Sequence, residues 1–558
     1  MPPHIKNSRC RRQKIALAIS LVAFAAQVYA AEDAGKPLLL HEAVKIAIKN
    51  SPKIIIESVN VDLAKADEQD AGGIFDPTLS ASAAYNAVRG YEYPKELQQF
   101  GSHPAVKKVD FMTEHTDNTE LKAGLSKLFR NGVYADFSIA LQSSDDAKKY
   151  QDVAWNVVPN MRLLGLLPAG ATTSDYFPAY PSVIQLLINV PLLKMSGNAN
   201  LPAANEASKR HLREAAELTL KHAVATIIQN VVNSYWAYKG AQVQLHYQLE
   251  SEKNIERWLA ALEKRVGAGQ NAAQELAHLR SFLTQRRVEV AKARENLSQT
   301  RSALAVALGI SAEEARNIGP AQEDYPSDWT GVLSRFDPAA LQRPWNETAQ
   351  QKRPDLKAAA LKLEASSVLH QGAINDEQPK LDLTLILKKQ GLAAGGSGFD
   401  PRFDSLSDGG SGLGHTVLLS YVMPLGNNKA KALVTKTRYG KLQAEVQYND
   451  ARRGVSLAVD AAVNTVHTSL TGLDAARKQT EYAVAALDAL VKSDVVEPQK
   501  VFDLVVLETA RMSAVTNHIN ALLAVANALA NAHYQTGSLL KDVDNMQEVG
   551  IGDLSRLP

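Results

Sequence analysis

Apolar residues recur along the chain in two periods, and the changes from one period to the other mark out its elements. From Leu220 they fall at alternating steps of four and three: Leu220, Val224, Ile227, Val231, then Tyr238, Ala241, Leu245, Ile255, Leu259, Leu262 and Val266. That is a coiled-coil seam. With a reversal at Gly267-Ala268-Gly269, the stretch Leu201–Ile310 predicts one long helix and its return. The first arm counts roughly 66 residues to Val266, on the order of 100 Å at about 1.5 Å per residue. A stretch from about Lys429 to Lys492 keeps the same rhythm through Val459, Val463, Val466, Leu470, Leu473, Val484, Leu487 and Val491, and returns over Gln499–Gln535.

The other period is two. Leu79, Ala81, Ala83, Tyr85 and Ala87 alternate with Thr78, Ser80, Ser82 and Asn86, which predicts a strand with one apolar face. Leu121–Arg130 and Val133–Leu141 predict two more strands about a two-residue turn at Asn131-Gly132. Val183–Val190 and the run Leu381, Leu383, Leu385, Leu387 continue the pattern. Tyr91–Glu120 and Gln151–Pro181 read as long loops, and Gly391–Gly414 as one exposed loop. Long loops alternating with a short turn are the asymmetry of outer-membrane barrels, although an ordinary soluble hairpin has the same period.

The order of elements occurs twice. Pro52 to Pro77 and Pro354 to Pro379 span the same interval, and Glu275-Leu276 stands to Gly309 as Asp503-Leu504 stands to Gly537. Asn189-Val190-Pro191-Leu192 and Val422-Met423-Pro424-Leu425 each lead a strand into a long helix. An internal duplication is the simplest account. It divides the chain into residues 1–30, a first repeat 31–310, a connector 311–350 carrying Trp329, Phe336 and Trp345, a second repeat 351–537, and a tail 538–558.

Charge enters through the first segment. Lys6, Arg9, Arg11, Arg12 and Lys14 precede an apolar run from Ile15 to Val28 and small residues before Ala31, the pattern of a secretory signal peptide. The run is shorter than the 20 or so residues a spanning helix needs. Its removal takes five bases and no acids, turning the net charge from +2 to −3. The mature chain then has no concentrated basic face for nucleic acid. Cys10, the only cysteine, leaves with the signal, so thiolate metal sites, disulfides and lipid attachment at the new N-terminus are not expected.

Candidate chemistry is sparse. His211 and His222 lie three helical turns apart, too far to share a metal, and neither an HExxH motif nor a phosphate loop occurs. Gly395-Gly396-Ser397-Gly398 matches a phosphate cradle in composition alone. The expectation is a chain that is not an enzyme and has no metal or cofactor.

Leu40-His41-Glu42-Ala43-Val44, Asn50-Ser51-Pro52, Phe75-Asp76-Pro77, Tyr235-Trp236-Ala237-Tyr238, Ala307-Leu308-Gly309 and Arg353-Pro354-Asp355 occur in an order that resembles the outer-membrane factor family of TolC-type efflux proteins. The resemblance implies an α+β membrane protein. Its long coiled-coil hairpins would form a trimeric α-barrel in the periplasm, and its strands a trimeric transmembrane β-barrel in outer-membrane lipid. It further implies a homotrimer that serves as a passive exit duct for a periplasmic adaptor protein and an inner-membrane transporter, within an efflux or type I secretion system. Matching the family's aperture motif places Asp503 at the periplasmic aperture with Glu275 as its counterpart, whereas Val506 stands where a second aperture aspartate is expected. Acids in a helix's first turn also simply complement its dipole. The tip turns, with Gly267, Gly269, Val495 and Pro498, are the implied adaptor contacts. Six strands per chain would give eighteen in a trimer in place of twelve, or the Asn131-Gly132 hairpin decorates the barrel from outside. The competing reading is a periplasmic coiled-coil adaptor or scaffold whose strands form a soluble sandwich.

Overall fold

The computed structural model describes residues 37–92, 112–145, 179–268, 272–325, 336–394, 400–407, 412–492, 500–540 and 557–558. The predicted signal peptide, Trp329, Gly269, Val495, Pro498, the phosphate-cradle lookalike and most of the two long loops lie outside these residues. The chain forms two compact units, one of 1–64, 212–362 and 444–558, the other of 65–211 and 363–443. Every boundary between them falls inside a helix.

The described helices are α1 (Leu40–Asn50), α2 (Pro52–Gly73), α3 (Leu201–Gly267), α4 (Ala273–Leu308), α5 (Ala312–Arg316), α6 (Pro338–Lys352), α7 (Pro354–Glu377), α8 (Asp400–Ser407), α9 (Asn428–Lys492) and α10 (Val501–Thr536). Ser51, between α1 and α2, is extended because the residue before a proline is pushed out of the helical region. In the first unit the predicted seams are the core: Val224, Val231, Ile255, Val459 and Val463 have no exposed surface. Val484 and Val491, further along the second seam, stay exposed. The returning helices end alike, with Gly309 and Gly537 in the left-handed region, each N–H reaching back to close the last turn.

Helix α6 lies within and just beyond the connector read from sequence. Asp337 caps α6 by accepting from the Ala339 N–H, and Phe336 and Trp345 are buried against Val459, Val463 and Leu529. Earlier in the connector, Tyr325 stacks on Trp236 and donates to the Trp236 carbonyl, while the Tyr235 hydroxyl donates to the Leu38 carbonyl. The Tyr235-Trp236 motif thus docks both the N-terminal segment and the connector on α3.

The second unit holds one antiparallel sheet in sequential order, β1 (Thr78–Glu92), β2 (Met112–Leu128), β3 (Tyr134–Asp145), β4 (Ala179–Pro191), β5 (Lys380–Ala394) and β6 (Gly414–Val422). It is open, with β1 and β6 at its edges. Three expectations need correction. Strands β1, β2 and β4 run further into the predicted loops than the period-two signal did, and in β2 backbone pairing continues through a stretch, Thr113 to Glu120, that is polar on both faces. The stretch read as one exposed loop, Gly391–Gly414, carries the end of β5 and helix α8, which lies against β3, β4 and β5. Ser182 donates to the Ser405 carbonyl there, and Arg402 to Ser143.

The third correction is the β2–β3 turn. It is a three-residue turn, with Gly132 N–H donating to Phe129 and Phe129 N–H to Val133. A two-residue turn of the expected type needs positive φ at both Asn131 and Gly132, and only Gly132 has it. A Cβ on Gly132 would stand 1.8 Å from the Met195 carbonyl, so the close approach also requires glycine.

Candidate functional site: an inside-out sheet and an acidic helix tip

Residues paired directly across strands share a face of a sheet. One row therefore runs Leu79, Leu125, Phe137, Leu186, Leu387, and the next, on the opposite face, Ser80, Gly124, Ser138, Gln185, Lys388. The first face is apolar on every strand. The exposure is the reverse of a soluble protein's: Leu79 is 81% exposed, Val417 64% and Leu419 62%, whereas Ser138, Asp382 and Thr384 are buried. Among the shielded polar side chains Asn189 donates to Asp382 Oδ2 and to Thr384, while Asp382 Oδ1 is buried with no hydrogen-bond partner among the described residues. Lys380 pairs with Asp382 at 3.1 Å.

The apolar belt crosses the strands obliquely. It centres near Ala83 on β1 and Leu419 on β6, and following the register from one to the other displaces it by about eight residues over five strand steps. At about 3.3 Å per residue and 4.8 Å per step the belt makes an angle of about 45° with the perpendicular to the strands, the tilt of strands in a membrane barrel. Among the described residues no helix is long and apolar enough to cross a membrane.

The helical unit supplies the second feature. Ala272 and Val501, at the starts of α4 and α10, share one buried cluster with Ile255, Leu262 and Leu279, so the two returning helices begin side by side. Glu275 and Asp503 both stand in first turns, Asp503 exposed and Glu275 half-buried. Val506, where the family pattern suggests an acid, is an exposed apolar residue beside the exposed Phe502. Gly267 is the exposed last residue of α3.

A third feature escaped the sequence. Glu508 is wholly buried, takes two hydrogen bonds from Arg511 at 2.7 and 2.8 Å, and accepts one from Ser251. Buried Arg286 donates to Gln248 at 2.9 Å. Burial pushes the Arg286 guanidinium below its ordinary value, against the pull of Glu508. The cluster joins α3, α4 and α10. An acid and a base three residues apart read as a solvated pair on a helix face; the one available signal was their place in an otherwise apolar, Ala-rich run.

The two histidines flagged by sequence stand apart. His211 lies 3.8 Å from Glu364, and His222 lies 3.8 Å from Asp355 with the Tyr534 hydroxyl 3.3 Å from its Nε2. Among the described residues no group of three or more His, Cys, Asp or Glu could hold a metal ion.

Known proteins match this architecture. The sequence is 24% identical over 266 residues to the probable outer membrane lipoprotein SilC of Salmonella typhimurium, a match covering 47% of the chain and 51% of SilC, about half of that relative. The fold is similar to that of CusC, with a TM-score of 0.56, 14% identity and coverage of 92% and 96% of the two chains. It is similar also to the Campylobacter jejuni CmeC outer membrane channel, with a TM-score of 0.55, 13% identity and coverage of 93% and 89%. The sequence model of the family described as outer membrane efflux protein matches residues 174–310 and 345–493, just over half of the chain. The chain belongs to the outer membrane efflux protein family.

Proposed function

We propose that the chain is the outer-membrane exit channel of an export system. Copies close their sheets into one barrel in the lipid, and the helical units form a tunnel in the periplasm that receives cargo from an adaptor and an inner-membrane transporter. The reversed burial of the sheet carries this reading: in water an exposed face of leucine, valine and phenylalanine over a shielded face of serine, aspartate and threonine would be unstable, and in lipid it is required. A periplasmic scaffold with a soluble sandwich would have the opposite burial. Three features of the reading rest on the family resemblance: three copies, passive conduction, and Gly267 at the surface that meets the adaptor; an internally duplicated chain rests on the repeated order of elements in the sequence.

Three copies would bring three Asp503 carboxylates, with Glu275 nearby, around the tunnel axis at the helix tips. A ring of acids favours cations and tunes passage. The reading is tested by fractionation followed by gel electrophoresis with and without boiling. A heat-modifiable trimer band in the outer membrane is expected; a monomer in the soluble periplasmic extract would sink the reading and favour the scaffold. Asp503→Ala should lower cation preference in planar bilayers, and unchanged selectivity would leave Asp503 with a dipole-capping role alone.

A further inference from the structure

We infer that the β2–β3 hairpin is a full wall element of the barrel, so that each chain contributes six strands and three chains close a ring of eighteen. This rests on the channel reading above and adds to it the width of the pore and the surface by which copies join.

The hairpin shares every property that marks the other strands as wall. Leu125 and Phe137 pair across it on the apolar face and are 49% and 43% exposed, while Gly124 and Ser138, on the polar face, are buried. The oblique belt passes through β2 and β3 without a break in register. A hairpin that decorated the barrel from outside would be wet on both faces, and nothing would hold its apolar residues to that line.

Its turn is also built in. Arg130 grips Glu206 of α3 through two hydrogen bonds of 2.7 and 2.6 Å, Asn200 donates to the Arg130 carbonyl, and the Gly197 N–H donates to the Asn131 carbonyl. A loose appendage has no use for these contacts.

The edges name the occupant of the open sides. The sheet is antiparallel throughout and its strand number is even, so β1 and β6 run in opposite directions. Hence β6 of one copy can add to β1 of a second copy and preserve the alternation, a head-to-tail contact that closes on itself. An unpaired strand edge cannot be left in lipid. With strands about 4.8 Å apart and tilted about 40°, an eighteen-strand ring has a radius of about 18 Å against about 12 Å for twelve strands. Equivalent backbone positions in three copies would lie about 30 Å apart in the wider ring and about 20 Å in the narrower.

The test uses the full chain, with Cys10→Ser as background, reconstituted in liposomes and carrying spin labels at single cysteines. Leu125→Cys and Phe137→Cys should be open to oxygen dissolved in lipid and closed to a water-soluble nickel chelate, and Ser126→Cys and Asp136→Cys the reverse. Pulsed dipolar spectroscopy at a wall position such as Thr384→Cys should give the longer inter-copy separation. If the hairpin positions all respond to the nickel chelate and the separation is the shorter one, while the preparation still conducts, the inference falls and the channel reading stands. If no inter-copy separation and no conductance are found, the channel reading itself fails.

Discussion

The two units of this chain solve burial in opposite ways. In the helical unit Val463 and Leu529 are wholly buried and the charges Arg287, Glu252 and Glu256 lie toward solvent. In the sheet Leu79 and Leu419 are exposed and Asp382 and Thr384 are hidden. Backbone pairing is equally regular in both, so the contrast lies in the solvent each surface is made for. Burial identifies a core only after the medium outside it is known. The same comparison has an exception on each side: the helical unit buries Glu508 and Arg511, and α8 covers part of the sheet near Ser182 and Tyr180.

Removing the first exception should have the largest effect. Arg511→Ala leaves the Glu508 carboxylate buried with Ser251 as its remaining strong partner, and breaking such a pair costs about 3–5 kcal/mol. The joint change Glu508→Leu and Arg511→Met should recover most of that, because an apolar pair has no ions to desolvate. Chemical denaturation followed by circular dichroism reads both. Equal loss in the single and joint variants would show that the cluster contributes packing and not charge pairing.

The next effect bears directly on the contrast. Leu419→Arg places a charge on the exposed apolar face of β6. On a water-facing surface it would change stability by within about 0.5 kcal/mol, and on a lipid-facing one near mid-depth it costs about 2–4 kcal/mol. The measurement is the fraction of chain inserted and heat-resistant after folding into liposomes. A variant that inserts like the parent would break the comparison between the units.

Much of this arrangement was legible in the sequence, and the residues that were not share a cause. Seam positions such as Val224, Val231 and Val463 were readable because one periodic face meets a core. The paired strands were readable where one face is apolar, and the reading stopped where both faces turn polar, as in β2 before Leu121. Asn131-Gly132 gave the hairpin but not its turn type, which depends on contacts with Met195, Gly197 and Asn200 many residues away. Asp503 and Glu275 were correctly placed in first turns, whereas the Glu508 cluster needs three helices that no local window contains.

Asn200 sharpens the anchoring of the sheet with a smaller effect. Its side chain accepts from the Ala203 N–H as the cap of α3 and donates to the carbonyls of Arg130 and Gly197. Asn200→Ala should cost about 1 kcal/mol, at the usual value of a lost helix cap, and up to about 2 kcal/mol if the hairpin contact is independent. Amide hydrogen exchange should quicken at residues 129–133 and in the first turn of α3, and not at the far end of the hairpin.

The smallest effect is a pH dependence confined to the helical unit. Burial, with the nearby Arg353 and Lys53 charges, holds His222 below the ordinary histidine value of 6.5, while Asp355 pulls the other way without prevailing. Its ring is therefore neutral in the folded chain over a range where an unfolded histidine is protonated. A lowered folded value means the unfolded state binds more protons in that window, so stability rises with pH there. The contribution is complete above 6.5 and is lost as pH falls below it toward the folded value. His518, lowered chiefly by burial and then by Arg477, acts with the same sign. The fall in Tm between about pH 7 and pH 5 should accordingly be reduced by His222→Gln, and reduced again when His518→Gln is added. Asp355, held low by Arg353 despite its burial, adds a loss only in the more acidic carboxylate range, below 3.8. A Tm slope that His222→Gln and His518→Gln both leave intact would break the assignment of this pH dependence to the buried histidines of the helical unit.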